Sequence, residues 1–265
     1  MKLGIIGCGN MGKTYAKSFL KYDLIKKDDL YLYEKNTSDI DYLSKLGQLK
    51  EMDDGTLLEL NVLVLAVKPQ NFFHLAEDLK TQLSEKCVVV SIMAGITVQQ
   101  MEEALNHHAI VRAMPNTPSQ IGVGMTAFTA SEEITLRQLR LVEKLFGATG
   151  RTLFLDLETD LDSVTALSGS GPAYVCYFLK SLIEAGVKMG LEEATASLLA
   201  RQTIFGTIQL INQSNKSLDE LIEMVTSKGG TTEAALKAFE EFNVNNGLIS
   251  GILKAKQRSI ELSGA

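Results

Sequence analysis

Apolar residues form short, nearly unbroken runs in the first part of the chain and longer helical-period patterns after about residue 160. Residues 3–6, 30–33, 62–67, 88–92 and 110–113 read as buried strands, the third being Val-Leu-Val-Leu-Ala-Val. Helices are expected after the first strand through about residue 22, near 71–83 and near 97–106. Apolar strands alternating with helices imply a parallel sheet covered on both faces. Residues 125–128 and 152–155 predict two further strands at the edges, with a helix across 132–146 between them. Beyond Asp160 the strand pattern stops, and helices are expected at about 161–168, 172–189, 192–213, 217–225, 231–242 and 245–262. The expected fold class is α/β, with a doubly wound domain over 1–158 followed by a closely packed all-helical domain over 159–265.

The helical half carries more apolar surface than a polar-faced bundle needs. Ile204, Ile208, Leu210, Ile211, Ile249, Ile252 and Leu253 predict helices buried on more than one face. Interleaving with the helices of a second copy accounts for that excess, so a homodimer is expected.

Composition narrows the function. The chain of 265 residues is 45% hydrophobic and 22% charged, an ordinary globular balance. A formal charge of −6 argues against a broad nucleic-acid surface, which needs excess Lys and Arg. No apolar window approaches the ~20 residues that span a bilayer, and the first residues lack the pattern of a secretory signal. The expected location is cytoplasmic, with Cys8, Cys87 and Cys176 as buried free thiols. The adjacent His107 and His108 have no partners at ligand spacing, so no metal is expected. No histidine follows residue 108, so catalysis in the second half would proceed without imidazole.

Gly7-Cys8-Gly9-Asn10-Met11-Gly12 is a G-x-G-x-x-G between the first strand and the first helix, the context in which that spacing binds a dinucleotide. Gly7 makes the turn, Gly9 admits the pyrophosphate at the helix N-terminus with Asn10 and Met11, and Gly12 packs helix on strand. The first domain is therefore of Rossmann type. At the end of the second strand, Glu34 favours the free ribose of NADH, whereas Lys35 with Asn36, Thr37 and Ser38 offers a cradle for the 2′-phosphate of NADPH. The sequence carries both signals. Ala66-Val67-Lys68-Pro69 ends the third strand at the carboxyl edge, where open α/β sheets bind ligands, and Ala94-Gly95 offers small residues beside the nicotinamide. Pro115 and Pro118 stiffen the next loop and fix Asn116 and Thr117 there.

Two motifs mark the helical half. In Ser168-Gly169-Ser170-Gly171-Pro172-Ala173-Tyr174, Pro172 suits a first helical turn, Ser170 its cap, and the glycines a close approach. Thr226-Ser227-Lys228-Gly229-Gly230-Thr231-Thr232 precedes the run Glu233-Ala234-Ala235-Leu236. The glycines let N–H groups converge, and Thr231 and Thr232 supply hydroxyls and cap the helix, giving a pocket for a small carboxylate.

Residues 7–12, 66–69, 114–118, 167–174, 185–191 and 226–232 occur in an order and spacing that resembles the pyrroline-5-carboxylate reductase family, across essentially the whole chain. The resemblance implies a Rossmann domain feeding a helical dimerisation domain, often assembled further into rings of dimers. It implies reduction of a cyclic imine to proline by NADPH or NADH. It places the substrate carboxylate on Ser227, Gly229, Gly230 and Thr231, with Thr232 at the imine nitrogen and Ser170 in the site wall. Two positions depart from the family pattern: Lys228 stands where Pro is usual, and Glu34 where NADPH-preferring members have neutral or basic residues. Two alternatives belong to other classes. A 3-hydroxy acid dehydrogenase needs a lysine on the helix after its glycine-rich loop, but the first lysine after Gly171 is Lys180, more than two turns in. A non-enzymatic NAD(P) sensor has no use for the pocket at 229–232.

Overall fold

Each apolar run forms a strand because it is buried from both sides. The computed structural model describes residues 1–35, 39–52 and 55–264. Its sheet contains β1 (Leu3–Ile6), β2 (Leu30–Tyr33), β3 (Gln48–Leu49), β4 (Val62–Leu65), β5 (Val88–Ser91), β6 (Ile110–Pro115), β7 (Gly124–Ala130) and β8 (Gly150–Phe154). The order is β3-β2-β1-β4-β5-β6-β7-β8. The first six strands run parallel, β7 is antiparallel to β6, and β8 is parallel to β7.

Strand periodicity splits the apolar residues between two cores. Leu3, Ile5, Leu32, Val64 and Val90 lie in one core with Tyr15 and Phe19 of α1 (Asn10–Lys21), Leu43 of α2 (Ile40–Leu46) and Phe146 of α5 (Leu136–Gly147). Ile6, Tyr33, Leu63, Leu65 and Val89 face α3 (Phe72–Leu79) and α4 (Val98–Leu105) on the other side. Each fully buried Leu, Ile, Val or Phe contributes roughly 1.5–3 kcal/mol, which favours this two-sided burial.

Three expectations change. Residues 125–128 are not an edge strand: β7 pairs along its length with β6 on one side and β8 on the other. The opposite edge is β3, whose two residues carry no apolar run to announce them. The helix expected across 132–146 starts later, because Thr135 and Gln138 form a reciprocal capping box that sets the first helical residue at Leu136. The helix expected over 161–168 is α6 (Asp160–Val164) followed by a π turn over Thr165–Gly169, a form that concentrates at functional sites.

The chain divides into two compact units, Met1–Ser170 with Ala255–Ala265, and Gly171–Lys254. In the first, Arg112 is buried and donates to Glu158 at 2.7 Å, and Glu158 also accepts from the Val98 N–H. The Ser259 hydroxyl of α11 (Val244–Ser263) donates to Asp162 Oδ1 at 2.7 Å. The second unit holds α7 (Gly171–Lys188), α8 (Glu193–Gln213), α9 (Leu218–Met224), α10 (Thr231–Glu241) and the first part of α11.

Within that second unit α7 crosses α8 closely, where a Cβ on Gly186 would lie 2.7 Å from Ala196 Cβ. Its buried hydrophobic side chains are only Ala196 and Ala200. Phe178, Leu199, Leu210 and Leu253 are exposed on the single chain, as is Cys176, contrary to the expectation that all three thiols are buried. With two alanines as its fully buried hydrophobic side chains and the rest partly buried or exposed, this unit is short of the apolar burial that offsets the entropy of ordering some eighty residues. Leu198 and Phe205 are seven apart on α8 and 69% and 60% exposed, so the double change Leu198→Glu, Phe205→Glu is expected to dissociate the assembled protein. Sedimentation velocity checks this, and an unchanged oligomer would remove that face from the interface.

Candidate functional site

The crevice forms where the sheet order reverses between β1 and β4. There the chain leaves β1 through Gly7, whose φ of +91° lies in a region that L side chains avoid. The Gly7 N–H donates to the Tyr33 carbonyl, and the Ala66 N–H donates to the Ile6 carbonyl at 2.8 Å. A Cβ on Gly7 would sit 2.7 Å from the Ala66 carbonyl oxygen and 3.0 Å from Val67 Cγ1. A Cβ on Gly12 would run into the Gly7 carbonyl oxygen. Gly9 differs from both: a Cβ there meets nothing within 4 Å.

Gly9 is the N-cap of α1, with Asn10 and Met11 as its first residues, and no side chain caps that end. No acidic residue lies in the first turn. The uncapped N–H groups and open space in front of Gly9 suit a pyrophosphate. The glycines thus fit a dinucleotide on geometry as well as on spacing.

The Cys8 N–H between the first two glycines donates to Glu34 Oε2 at 2.7 Å. Glu34 thereby ties the end of β2 to the loop after β1. Both border a cavity of about 560 Å³, together with Lys35, Lys50, Val67 and His74. Asn36, Thr37 and Ser38 lie outside the described residues. Lys68 is exposed at the cap of a short 3₁₀ turn, Pro69–Asn71, that Pro69 opens.

At the carboxyl end of β6, Asn116 receives the Met125 N–H on Oδ1 at 2.9 Å and donates from Nδ2 to Ser168 Oγ at 3.3 Å. A Cβ on Gly169 would lie 2.6 Å from Met114 Cε, so the Ser168–Gly169 backbone presses against that strand end. Ser170 is not an N-cap. Its φ and ψ of −82° and −19° are helical, and it joins the π turn to α7, whereas a cap needs extended geometry. Gly95 has φ +75°, and a Cβ there would lie 3.0 Å from the Leu262 carbonyl oxygen. Ala94 and Gly95 thus turn where α11 packs, a contact that the sequence reading did not anticipate.

In the helical unit, Ser227, Lys228, Gly229 and Gly230 form a tight turn closed by the Gly230 N–H on the Ser227 carbonyl at 2.9 Å. Gly229 has φ +75°, the conformation that demands glycine at the third turn position. Thr231 and Thr232 do not cap α10; Gly230 does, with φ −82° and ψ 172°, leaving the threonines as the first two helical residues. Glu233 reaches back so that Oε2 accepts the Gly229 N–H at 2.6 Å, and Oε1 lies 3.4 Å from the Lys237 ammonium. This Glu233 contact was missed in the sequence; its signal was a Glu three residues after the cap, the spacing of a capping box. With the N–H groups of Gly229 and Gly230 held internally, those heading the helix are on Thr231, Thr232 and Glu233.

A doubly wound unit with an open glycine loop at its switch point, followed in the chain by a helical unit, places the protein in the class of two-domain dinucleotide-binding proteins. A family model described as pyrroline-5-carboxylate reductase dimerisation matches residues 158–262, and one described as NADP oxidoreductase coenzyme F420-dependent matches residues 2–95. The chain is 35% identical to a pyrroline-5-carboxylate reductase of Synechocystis sp. over 99% of this chain and 98% of that one. A crystal structure of Plasmodium falciparum pyrroline carboxylate reductase with NADP bound aligns with a TM-score of 0.91 at 28% identity, covering 99% of this chain and 98% of that one. A Coxiella burnetii pyrroline-5-carboxylate reductase aligns with a TM-score of 0.88 at 34% identity, with the same coverage.

The chain belongs to the pyrroline-5-carboxylate reductase family. It is an NAD(P)-dependent oxidoreductase that self-associates through a dimerisation domain. Family membership sets aside the 3-hydroxy acid dehydrogenase and the sensor. Among the described residues, no helix is long and apolar enough to cross a membrane.

Burial first, and the Glu34 carboxylate second, push the Cys8 thiol up to about 12; burial alone does the same for Cys87. At pH 8 only about one thiol in ten thousand is then the reactive thiolate. Both are expected to alkylate with iodoacetamide at least a hundredfold more slowly in the native protein than in urea, read by peptide mass spectrometry. Rapid native labelling of Cys8 would show that the glycine loop opens readily.

Proposed function

We propose that this chain reduces pyrroline-5-carboxylate to L-proline, the final step of proline biosynthesis, with NADPH or NADH as reductant. The observation that supports this most is its relationship to reductases of that name over 99% of its length. The two-domain division proposed is 1–158 for dinucleotide binding and 159–265 for substrate binding and dimerisation. Gly7, Gly9, Asn10, Met11 and Gly12 take the pyrophosphate; Glu34, Lys35 and Asn36 border the adenosine ribose; Ala66, Val67, Lys68 and Pro69 with Ala94, Gly95 and Asn116 line the remainder of the dinucleotide path. Reduced nicotinamide supplies the hydride when bound.

The loop of Ser227, Gly229, Gly230 and Thr231 takes the substrate carboxylate: Ser227 and Thr231 supply the donors, Gly229 and Gly230, whose N–H groups are held within the loop, shape the turn, and the helix dipole at the head of α10 adds to the attraction. Thr232 hydrogen-bonds the imine nitrogen, and Ser170 forms part of the wall. A protonated imine is already electrophilic, so hydride addition at its carbon needs no strong protein acid. That agrees with a loop built from glycines and hydroxyls. Thr232 orients the ring rather than transferring a proton from a perturbed group. We propose further that the protein works in the cytoplasm as a homodimer or a ring of dimers, and that its net acidic surface binds no nucleic acid.

Oxidation of NADPH and of NADH with pyrroline-5-carboxylate as acceptor tests the activity; folded protein that binds nucleotide but turns over neither would overturn it. Thr232→Ala is expected to lower kcat/KM about tenfold or more, the loss of one ~1.4 kcal/mol transition-state contact. Unchanged kcat/KM would remove Thr232 from the site.

A further inference from the structure

The end of β2 carries opposed charges whose surroundings differ. Lys35 is exposed, whereas Glu34 is half-buried and its Oε2 is held by the Cys8 N–H at 2.7 Å. Since Cys8 stands between Gly7 and Gly9, that hydrogen bond carries the carboxylate to the glycine loop where the adenosine ribose enters a site of this type. Neighbouring cations have other interactions. Lys13 forms an ion pair with Asp39, and the Lys50 ammonium lies 5.3 Å over the Tyr31 ring. The cavity beside the loop also includes Glu51, a second carboxylate.

We propose that Glu34 makes this chain select NADH over NADPH, an inference that rests on the reading of the first unit as a dinucleotide site. A carboxylate fixed at the ribose accepts hydrogen bonds from its 2′- and 3′-hydroxyls. A 2′-phosphate in the same place offers acceptors only and brings a like charge to a half-buried carboxylate that its hydrogen bond holds in place. Lys35, facing solvent, is screened and offsets that repulsion weakly.

The test measures dissociation constants of NADH and NADPH, without imine, by nicotinamide fluorescence for the wild type, Glu34→Gln and Lys35→Ala. The wild type is expected to bind NADH at least tenfold more tightly. Glu34→Gln keeps the shape and removes the charge, so it should tighten NADPH at least tenfold with little gain for NADH. Lys35→Ala should leave the ratio within about twofold. A wild type that prefers NADPH, an unchanged ratio in Glu34→Gln, or a selective loss of NADPH in Lys35→Ala overturns the proposal. Binding of neither nucleotide overturns it along with the proposed function, whereas selective NADH binding without imine reduction overturns only the latter.

Discussion

The first unit is organised around a backbone approach that leaves no room for a side chain. β1 ends against the last residues of β4, and α1 starts against the carbonyl of Gly7. A Cβ at Gly7 or Gly12 would force those segments apart. The strands, packed from both faces, cannot give way without opening two cores. That rigidity keeps the α1 N-terminus uncapped in front of an open Gly9. It also brings Cys8 within reach of Glu34, so one turn joins the open helix N-terminus to the end of β2.

The second unit obeys the opposite economy. Its helices have apolar residues on faces that the single chain leaves to solvent, and its own buried hydrophobic side chains are alanines. Gly186 against Ala196 shows that α7 and α8 approach as closely as packed helices do. Failure to form a bundle is therefore not the reason for the exposure. That apolar area is available to contacts between copies, in keeping with self-association through the dimerisation domain.

Much of this was legible in the sequence because the central strands β1, β2, β4 and β5 are short, nearly unbroken apolar runs. What escaped has physical causes. Gln48–Leu49 became a strand by pairing beside Tyr31 and Leu32, not by its own pattern. The position of β7 depends on a partner strand on each side, which no local window contains. At the candidate site, the glycines at 7, 12 and 229 are positioned as their spacing implied. The capping roles of Ser170, Thr231 and Thr232 were misread because a residue's suitability for a cap does not fix its backbone conformation. Gly95 was read from its place after β5 alone; its contact with Leu262 is made across more than 160 residues of chain.

Lys228 shows how a departure from the family pattern is absorbed. It precedes Gly229, whose φ of +75° makes this a turn in which proline is favoured at the second position and glycine at the third. The turn nevertheless closes, with Gly230 donating to Ser227 at 2.9 Å. Proline would contribute mainly by narrowing the unfolded chain, an effect of ~0.4–1 kcal/mol. Glu233 adds a constraint from the other side by holding the Gly229 N–H. A hydrogen bond to a helical carboxylate thus helps to order a loop that lacks proline's stiffness. The exposed ammonium of Lys228 adds positive charge to the segment that leads into α10, the same sign as the helix N-terminus it precedes.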